Sequence, residues 1–210
     1  PAEAFIEDLL VKQLGVKYLV VGDDFCFGKQ RRGNFEMLKA AGEKYGFAVV
    51  NTHSFVIGDK RVSSTEIRSL LAKGNLEQAR RLLGHPYALS GKVAHGEKIG
   101  RTIGFPTANI ALKRKVSPVR GVFAVKLYWD GSETYEGVAN VGFRPTVNGQ
   151  NCQLEVHLFD FDGDLYGRTV EVELVAKIRD EQPFKSLDAL KRQIIDDADR
   201  AKALLGCDAG

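Results

Sequence analysis

No run in this 210-residue chain approaches the roughly 18 consecutive apolar residues of a membrane span. The N-terminus also lacks the basic-then-apolar pattern of an export signal. Cysteine is scarce. Cys26, Cys152 and Cys207 lie far apart with no C-x-x-C pair, which excludes a zinc ribbon or a disulfide scaffold and fits a reducing compartment, the cytoplasm. An excess of one charge is missing too: 30 Lys and Arg against 27 Asp and Glu leave +3, too little to imply a nucleic-acid binder. His95 and His157 have no partner spacing that suggests zinc, and no repeat or low-complexity segment occurs. The chain starts at Pro1 rather than Met, consistent with sequence missing upstream. What is present is apolar material, 44% of residues, enough for a core without staples. The length corresponds to about 1.4 average domains.

The first part alternates helix and strand. Phe5, Ile6, Leu9 and Leu10 have helical spacing, with Gly15 as the stop. Residues 17–22 (KYLVVG) and 47–51 (FAVVN) read as strands, the first of them buried, around a helix over 34–45 closed by Gly46. Ser63-Ser64-Thr65-Glu66 is a capping-box pattern opening a helix, and Asn75 opens another that ends at Gly84. Strands separated by helices argue for a parallel α/β sheet.

The pattern changes at His85-Pro86, where the domain boundary is placed, giving parts 1–85 and 86–210. Residues 121–129 (GVFAVKLYW) read as a strand followed by an Asp130-Gly131 hairpin signal. Leu154, Val156 and Leu158 alternate with Gln153, Glu155 and His157. Val170, Val172, Leu174, Ala176 and Ile178 form one apolar face at period two, and Asp162-Gly163 reads as a further hairpin turn. Short strands with glycine-rich turns suggest a small antiparallel barrel. Ser186 then caps a last helix with an apolar face of Leu187, Leu190, Ile194, Ala198, Ala201 and Leu205, ended by Gly206. Charge in the barrel part is segregated. Residues 92–120 carry seven basic and one acidic side chain, whereas residues 130–164 carry seven acidic and one basic.

The segment 95–110, HGEKIGRTIGFPTANI, is the richest in chemistry. Gly96, Gly100 and Gly104 recur every four residues beside Lys98 and Arg101, so backbone amides and cations can approach a phosphate; a barrel corner needs glycine as well. In extended chain, Thr107 and Asn109 share a face while Ala108 and Ile110 point to the core. Their hydroxyl and amide oxygens are hard ligands suited to Mg²⁺ carried by nucleotide phosphates, although a polar outer strand face has the same pattern. Glu155, on the polar face of its strand, can accept a proton from an alcohol nucleophile, and equally can be an ordinary solvent-facing glutamate. Asp160, Asp162 and Asp164 resemble a calcium loop with Glu171 at position twelve, but Leu165 stands where that loop needs glycine. In the first part, Asp24 and Phe25 follow a strand end, and Ser63, Ser64 and Arg68 sit at a helix start able to hold a phosphate or simply to cap.

Taken together, GDDFCFG (22–28), VSSTEIR (62–68), LLGHPY (82–87), GRTIGFPTAN (100–109), GVFAV (121–125), GVANVGFRPT (137–146), LEVHLFDFDGDLYG (154–167) and the run RDE…F (179–184) resemble the prokaryotic bifunctional riboflavin kinase/FMN adenylyltransferase (FAD synthetase) family. The resemblance implies a partial Rossmann-like nucleotidyltransferase over 1–85, then a six-stranded antiparallel riboflavin kinase barrel with a C-terminal helix over 86–210. It implies transfer of the ATP γ-phosphate to the 5′-hydroxyl of riboflavin, giving FMN and ADP, with Mg²⁺ or Mn²⁺ and without nucleic-acid or membrane partners. It assigns Thr107 and Asn109 to metal and nucleotide, the Gly96–Gly104 loop with Lys98 and Arg101 to a nucleotide flap, and Glu155 to the catalytic base. Arg179, Asp180, Glu181 and Phe184 fall near the flavin, and Asp24, Phe25, Ser63, Ser64 and Arg68 belong to the adenylyltransferase part. A non-catalytic flavin- or nucleotide-binding module is the alternative, and an altered Thr107, Asn109 or Glu155 would have favoured it.

The sequence departs from the family at Phe123, where tyrosine is usual, at Phe143, where a smaller residue is usual, and at Cys26, where a basic residue is common. It also lacks the first strand and the His-x-Gly-His nucleotide site; its first histidine is His53. The remaining half of that sheet is expected to leave an open edge and an apolar face prone to self-association. Losing transition-state contacts at about 3 kcal/mol each lowers rate by more than 10² per contact. The 210-residue protein is therefore expected not to adenylylate FMN; chromatography of FMN, ATP and purified protein checks this, and FAD formation refutes it.

Overall fold

The computed structural model describes residues 1–22, 24–52, 55–58, 60–95, 104–112, 114, 116–131, 133–146 and 149–206. Packing divides the chain into two compact units, Pro1–Val62 and Ser63–Gly210.

The first unit begins with helix α1 (Ala2–Ala4), continued by a π-helical stretch Phe5–Gln13. The wider winding closes with the Leu14 N–H donating to Leu9 O and the Val16 N–H to Leu10 O, both at 2.9 Å. Gly15 turns the chain at φ 57 into strand β1 (Tyr18–Gly22). Helix α2 (Phe35–Tyr45) is capped by Asn34, whose side chain accepts from the Met37 N–H, and stops at left-handed Gly46. Strand β2 (Ala48–Thr52) pairs in parallel with β1, from Tyr18↔Ala48 to Gly22↔Thr52. Ile6, Leu10, Val21, Leu38 and Phe47 form the core. The strand expected to be buried is covered on one face only. Leu19, Val21 and Val49 pack into this core, while Tyr18 (62%) and Val20 (52%) are exposed. A short hairpin, β3 (Val56–Ile57) and β4 (Lys60–Arg61), completes the unit.

The second unit opens with α3 (Ser64–Ala72), capped by the Ser63 hydroxyl on the Glu66 N–H, and α4 (Leu76–Leu83). Leu71, Leu76 and Ala79 belong to the hydrophobic cluster of the barrel, so both helices pack with the barrel. Six strands follow: β5 (Ala88–Ala94), β6 (Ala108–Ala111), β7 (Gly121–Tyr128), β8 (Tyr135–Thr146), β9 (Gly149–Leu158) and β10 (Thr169–Arg179). They close in the order β10-β5-β6-β9-β8-β7, and every pair is antiparallel. The turn between β7 and β8 has Asp130 at φ 42 and Gly131 at φ 70, two left-handed residues of the type a two-residue hairpin favours. Asp162-Gly163 is not a hairpin turn. It lies in the connection from β9 to β10, strands that are not neighbours in the barrel.

Strand β7 is apolar from Gly121 to Val125, where both faces are covered. Phe123, Val125 and Leu127 fill the barrel, while Val122 and Ala124 lie under helix α5 (Leu187–Leu205) with Ala198 and Ala201. Strand β10 does not keep a single apolar face. Register shifts between Leu174 and Ala176 and between Lys177 and Arg179 turn Ala176 and Ile178 outward to the α5 cluster, whereas Val170, Val172 and Leu174 stay inside. Helix α5 starts at Ser186, whose hydroxyl accepts from the Ala189 N–H, and ends at left-handed Gly206. Leu187 is 61% exposed, so the apolar face of α5 begins one turn later than its spacing suggests.

A buried ion pair fastens α5 to the barrel. The Arg179 guanidinium donates through Nε to both carboxylate oxygens of Asp197, at 2.9 and 3.0 Å, and through Nη2 at 2.7 Å. Asp197 is 3% exposed. Removing one partner of such a pair strands the other charge, so Asp197→Ala is expected to cost about 3 kcal/mol, read as a lower denaturant midpoint of the barrel unit. A midpoint unchanged within error contradicts the anchoring role.

Candidate active site

The register of the barrel sets three polar side chains in one row. Asn109 on β6 is the partner of Glu155 on β9, and Glu155 is the partner of Asn140 on β8. One residue along, the matching row is Ile110, Leu154 and Val141, all fully buried in the barrel. Successive side chains on a strand point to opposite faces. The apolar row therefore forces Asn109, Glu155 and Asn140 to the outer face. All three are half-buried.

Hydrogen bonds extend the row at both ends. Gln153 Nε2 donates to Asn109 Oδ1 at 2.9 Å, and Asn109 Nδ2 reaches the Thr107 carbonyl at 3.5 Å. On the far side, Asn140 Nδ2 donates to Glu181 Oε1 at 3.3 Å, and Arg120 Nε donates to Glu181 Oε2 at 2.6 Å. Gly142 leaves the space that Glu181 occupies, because a Cβ there would overlap the Glu181 carboxylate.

A cavity of about 300 Å³ opens where β6 begins, floored by the inward-facing Val93, Ala108, Val156 and Leu158. Thr107 and Pro106 line one side, and the β9–β10 connection, from Phe161 to Tyr166, lines the other. Around it, His157 Nδ1 lies 2.9 Å from the Pro106 carbonyl, and the His95 and Tyr166 rings stand 4.0 Å apart. Asp164 accepts from the Tyr166 N–H at 2.8 Å, a local turn. Among the described residues no group of three or more His, Cys, Asp or Glu side chains could hold a metal ion, so the Asp160–Asp164 run forms no calcium loop. Thr107, Asp162 and Asp164 bring oxygens to the cavity lining, while Asn109 and Glu155 pair across β6 and β9 on the outer face. This few-ligand set fits a Mg²⁺ that arrives with phosphates and keeps several waters, rather than a protein cage.

The structure brings Thr107, Asn109 and Glu155 to one place. Gly104 is exposed at φ 87, a conformation that favours glycine. Gly96, Lys98, Gly100 and Arg101 lie outside the described residues. The four residues expected near the flavin differ in their engagements. Arg179 is bound to Asp197, with the Phe184 ring 5.7 Å from its guanidinium. Asp180 is 84% exposed, and the Lys177 ammonium at 2.7 Å holds its carboxyl below the usual range. Glu181 joins the polar row. In the first unit, Asp24 pairs with Arg61 at 3.1 Å and Phe25 stacks on Phe27 at 5.7 Å. In the second unit, Ser63 caps α3, Ser64 is its first residue and Arg68 is exposed. Cys152 is sealed in the barrel, where burial pushes its thiol pKa up and makes it a poor nucleophile.

Sequence reasoning missed Asn140, Gln153, Arg120 and Asp197. The polar Asn140 between Ala139 and Val141 was a visible signal: a polar residue at the outward parity of an apolar strand. For Arg120 and Asp197 no local signal exists, because their partners lie 61 and 18 positions away.

Comparison with known proteins agrees with this geometry. The riboflavin kinase family model matches residues 83–205, and the FAD synthetase model matches residues 1–66. The chain is 55% identical over 205 residues to the bifunctional riboflavin kinase/FMN adenylyltransferase of Escherichia coli (strain K12), covering 98% of this chain and 66% of that protein. It is 54% identical over 202 residues to the protein of the same name from Haemophilus influenzae, covering 96% of this chain and 66% of that protein. The chain thus spans slightly less than two thirds of the length of the curated relatives it matches. A solved structure described as a macrolide-efflux protein from Streptococcus pneumoniae superposes with a TM-score of 0.67 at 35% identity, covering 93% of this chain and 62% of that one. With the closed six-stranded barrel and these matches in agreement, the chain belongs to the riboflavin kinase family, in the arrangement where FAD synthetase sequence precedes the kinase.

Proposed function

We propose that the barrel unit transfers the γ-phosphate of ATP to the 5′-hydroxyl of riboflavin, giving FMN and ADP. The observation that carries this reading is the placement of Glu155 on the outer face between Asn109 and Asn140, on the strand pair that Thr107 leads into. In the step, the 5′-oxygen forms a bond to the γ-phosphorus as the bond to the bridging oxygen of ADP breaks. The proton of the hydroxyl passes to a Glu155 carboxylate oxygen. Thr107 and Asn109 would hold the Mg²⁺–nucleotide end, with Gln153 orienting the Asn109 amide oxygen. A Mg²⁺ bound there would neutralise charge on the β- and γ-phosphates. Phosphoryl transfer depends chiefly on positioning and electrostatics, which suits one oriented carboxylate and a few neutral oxygens.

The loop containing Gly96, Lys98, Gly100, Arg101 and Gly104 acts in this reading as the nucleotide flap. Phe184 offers a ring to the flavin, and Arg179 holds that segment through Asp197. Residues 1–85 are of adenylyltransferase descent and 86–210 are the kinase, with Asp24, Phe25, Ser63, Ser64 and Arg68 as the nucleotidyltransferase contribution. The family matches at 1–66 and 83–205 support this division. The enzyme works in the cytoplasm on ATP and riboflavin.

Incubation with riboflavin, ATP and Mg²⁺ is expected to yield FMN by chromatography, and no FMN after long incubation overturns the proposal. Glu155→Gln keeps the shape and loses the base, so kcat falls by about 10²–10⁴-fold with flavin binding retained. A near-normal kcat removes Glu155 from the chemistry. Thr107→Ala is expected to weaken Mg²⁺–nucleotide binding, measured by titration calorimetry, while riboflavin binding without nucleotide is unchanged. Equal loss of both, in a folded variant, makes Thr107 a packing residue.

A further inference from the structure

The polar row ends in an acceptor without a donor. Among the described residues, Asn140 Oδ1 is buried and has no hydrogen-bond partner. A buried amide oxygen left unpaired costs free energy, so its persistence needs a reason. Its orientation is not free. Glu181 is held by Arg120 at 2.6 Å and, as a carboxylate, can only accept. The Asn140 amide must therefore give its N–H₂ side to Glu181, at 3.3 Å, and turn its oxygen the other way. Gly142 keeps the Glu181 carboxylate in place by leaving it room. Four residues, two on β8, one just before β7 and one just after β10, thus cooperate to present one acceptor.

That acceptor stands on the strand next to Glu155, as its directly paired residue. Facing side chains of such a pair have Cβ atoms about 4.5–5.5 Å apart. Hydroxyl oxygens on next-but-one carbons of an extended sugar-alcohol chain stand at a comparable separation. We propose that Asn140 Oδ1 accepts a hydrogen bond from a secondary hydroxyl of the ribityl chain, so that the terminal hydroxyl meets Glu155. Asn140 is then a substrate-binding residue that selects a polyhydroxyl chain, and Glu181 and Arg120 are positioning residues acting through it. The inference rests on the riboflavin kinase reading.

The test is a cycle between variant and substrate, using riboflavin, its 2′-, 3′- and 4′-deoxy analogues, and lumiflavin, which lacks the chain. Binding is read by flavin fluorescence, and turnover by kcat/KM. The wild-type protein is expected to bind one deoxy analogue roughly ten- to a hundred-fold more weakly than riboflavin, the usual consequence of stranding a buried acceptor. Asn140→Ala is expected to bind riboflavin and that analogue alike, with lumiflavin binding unchanged. Glu181→Gln lets the amide rotate and is expected to shrink the discrimination. It serves as the readout if Asn140→Ala does not fold. Riboflavin binding by the wild type with no discrimination among the analogues overturns this inference and leaves the kinase reading intact. Discrimination that survives in either folded variant overturns it as well. A loss confined to Mg²⁺–ATP binding makes Asn140 a metal ligand and also overturns it. Failure of the wild type to bind riboflavin at all brings down the kinase reading itself.

Discussion

Strand register is the constraint on which the candidate site depends. Ile110, Leu154 and Val141 are fully buried partners across β6, β9 and β8. Their burial, worth about 1.5–3 kcal/mol per side chain, pins the pairing of three strands at once. A slip of one residue in β9 would turn Glu155 into the core and Leu154 to the outside. The hydrophobic row thus fixes the polar row one position away. Glu155 is aligned with Asn109 and Asn140 by the packing of residues that do no chemistry.

The outer face has its own organisation. Around Val122, Ala124, Ala198 and Ala201, helix α5 covers the barrel with small side chains, which allow close approach. The bulges in β10 send Ala176 and Ile178 to that same layer. Beyond them the Arg179–Asp197 pair ties helix to strand end. A buried ion pair contributes little net stability but penalises any other docking of the helix. Glu181 lies two residues beyond Arg179, so a fixed Arg179 delivers the carboxylate that orients Asn140. Helix docking and site geometry are coupled through this short segment.

The first unit shows the reverse situation. Its parallel pair β1–β2 packs one face on helices, while Tyr18 and Val20 on the other face meet solvent. Strands with the apolar continuity of YLVVG are normally covered on both sides in α/β sheets. Asp24, just past the end of β1, pairs with Arg61 of the β3–β4 hairpin.

Much of this was legible in the sequence, for local reasons. Asn34, Ser63 and Ser186 announce helix starts because a short polar side chain satisfies the first free N–H groups. Gly46, Gly84 and Gly206 announce ends because each adopts a left-handed conformation. The alternation of residues 153–158 declared which side of Glu155's strand is wet, and the motifs around Thr107, Asn109 and Glu155 carried the family. Tertiary structure alone decided the rest. Whether an apolar strand is covered on one face or two depends on what packs above it, so β1 is half-bare and β7 is enclosed. The bulges in β10 arise from closing six strands and bending one of them toward α5, which period-two spacing does not encode. The Asp162-Gly163 dipeptide reads as a hairpin, yet its strands are separated in the barrel and the loop lines a cavity instead. Arg120, Asn140 and Glu181 became neighbours only when β7, β8 and the chain after β10 met. Hydrogen bonds between residues 41 and 61 positions apart leave no trace in local pattern, because the chain pays for that closure only through the folded barrel.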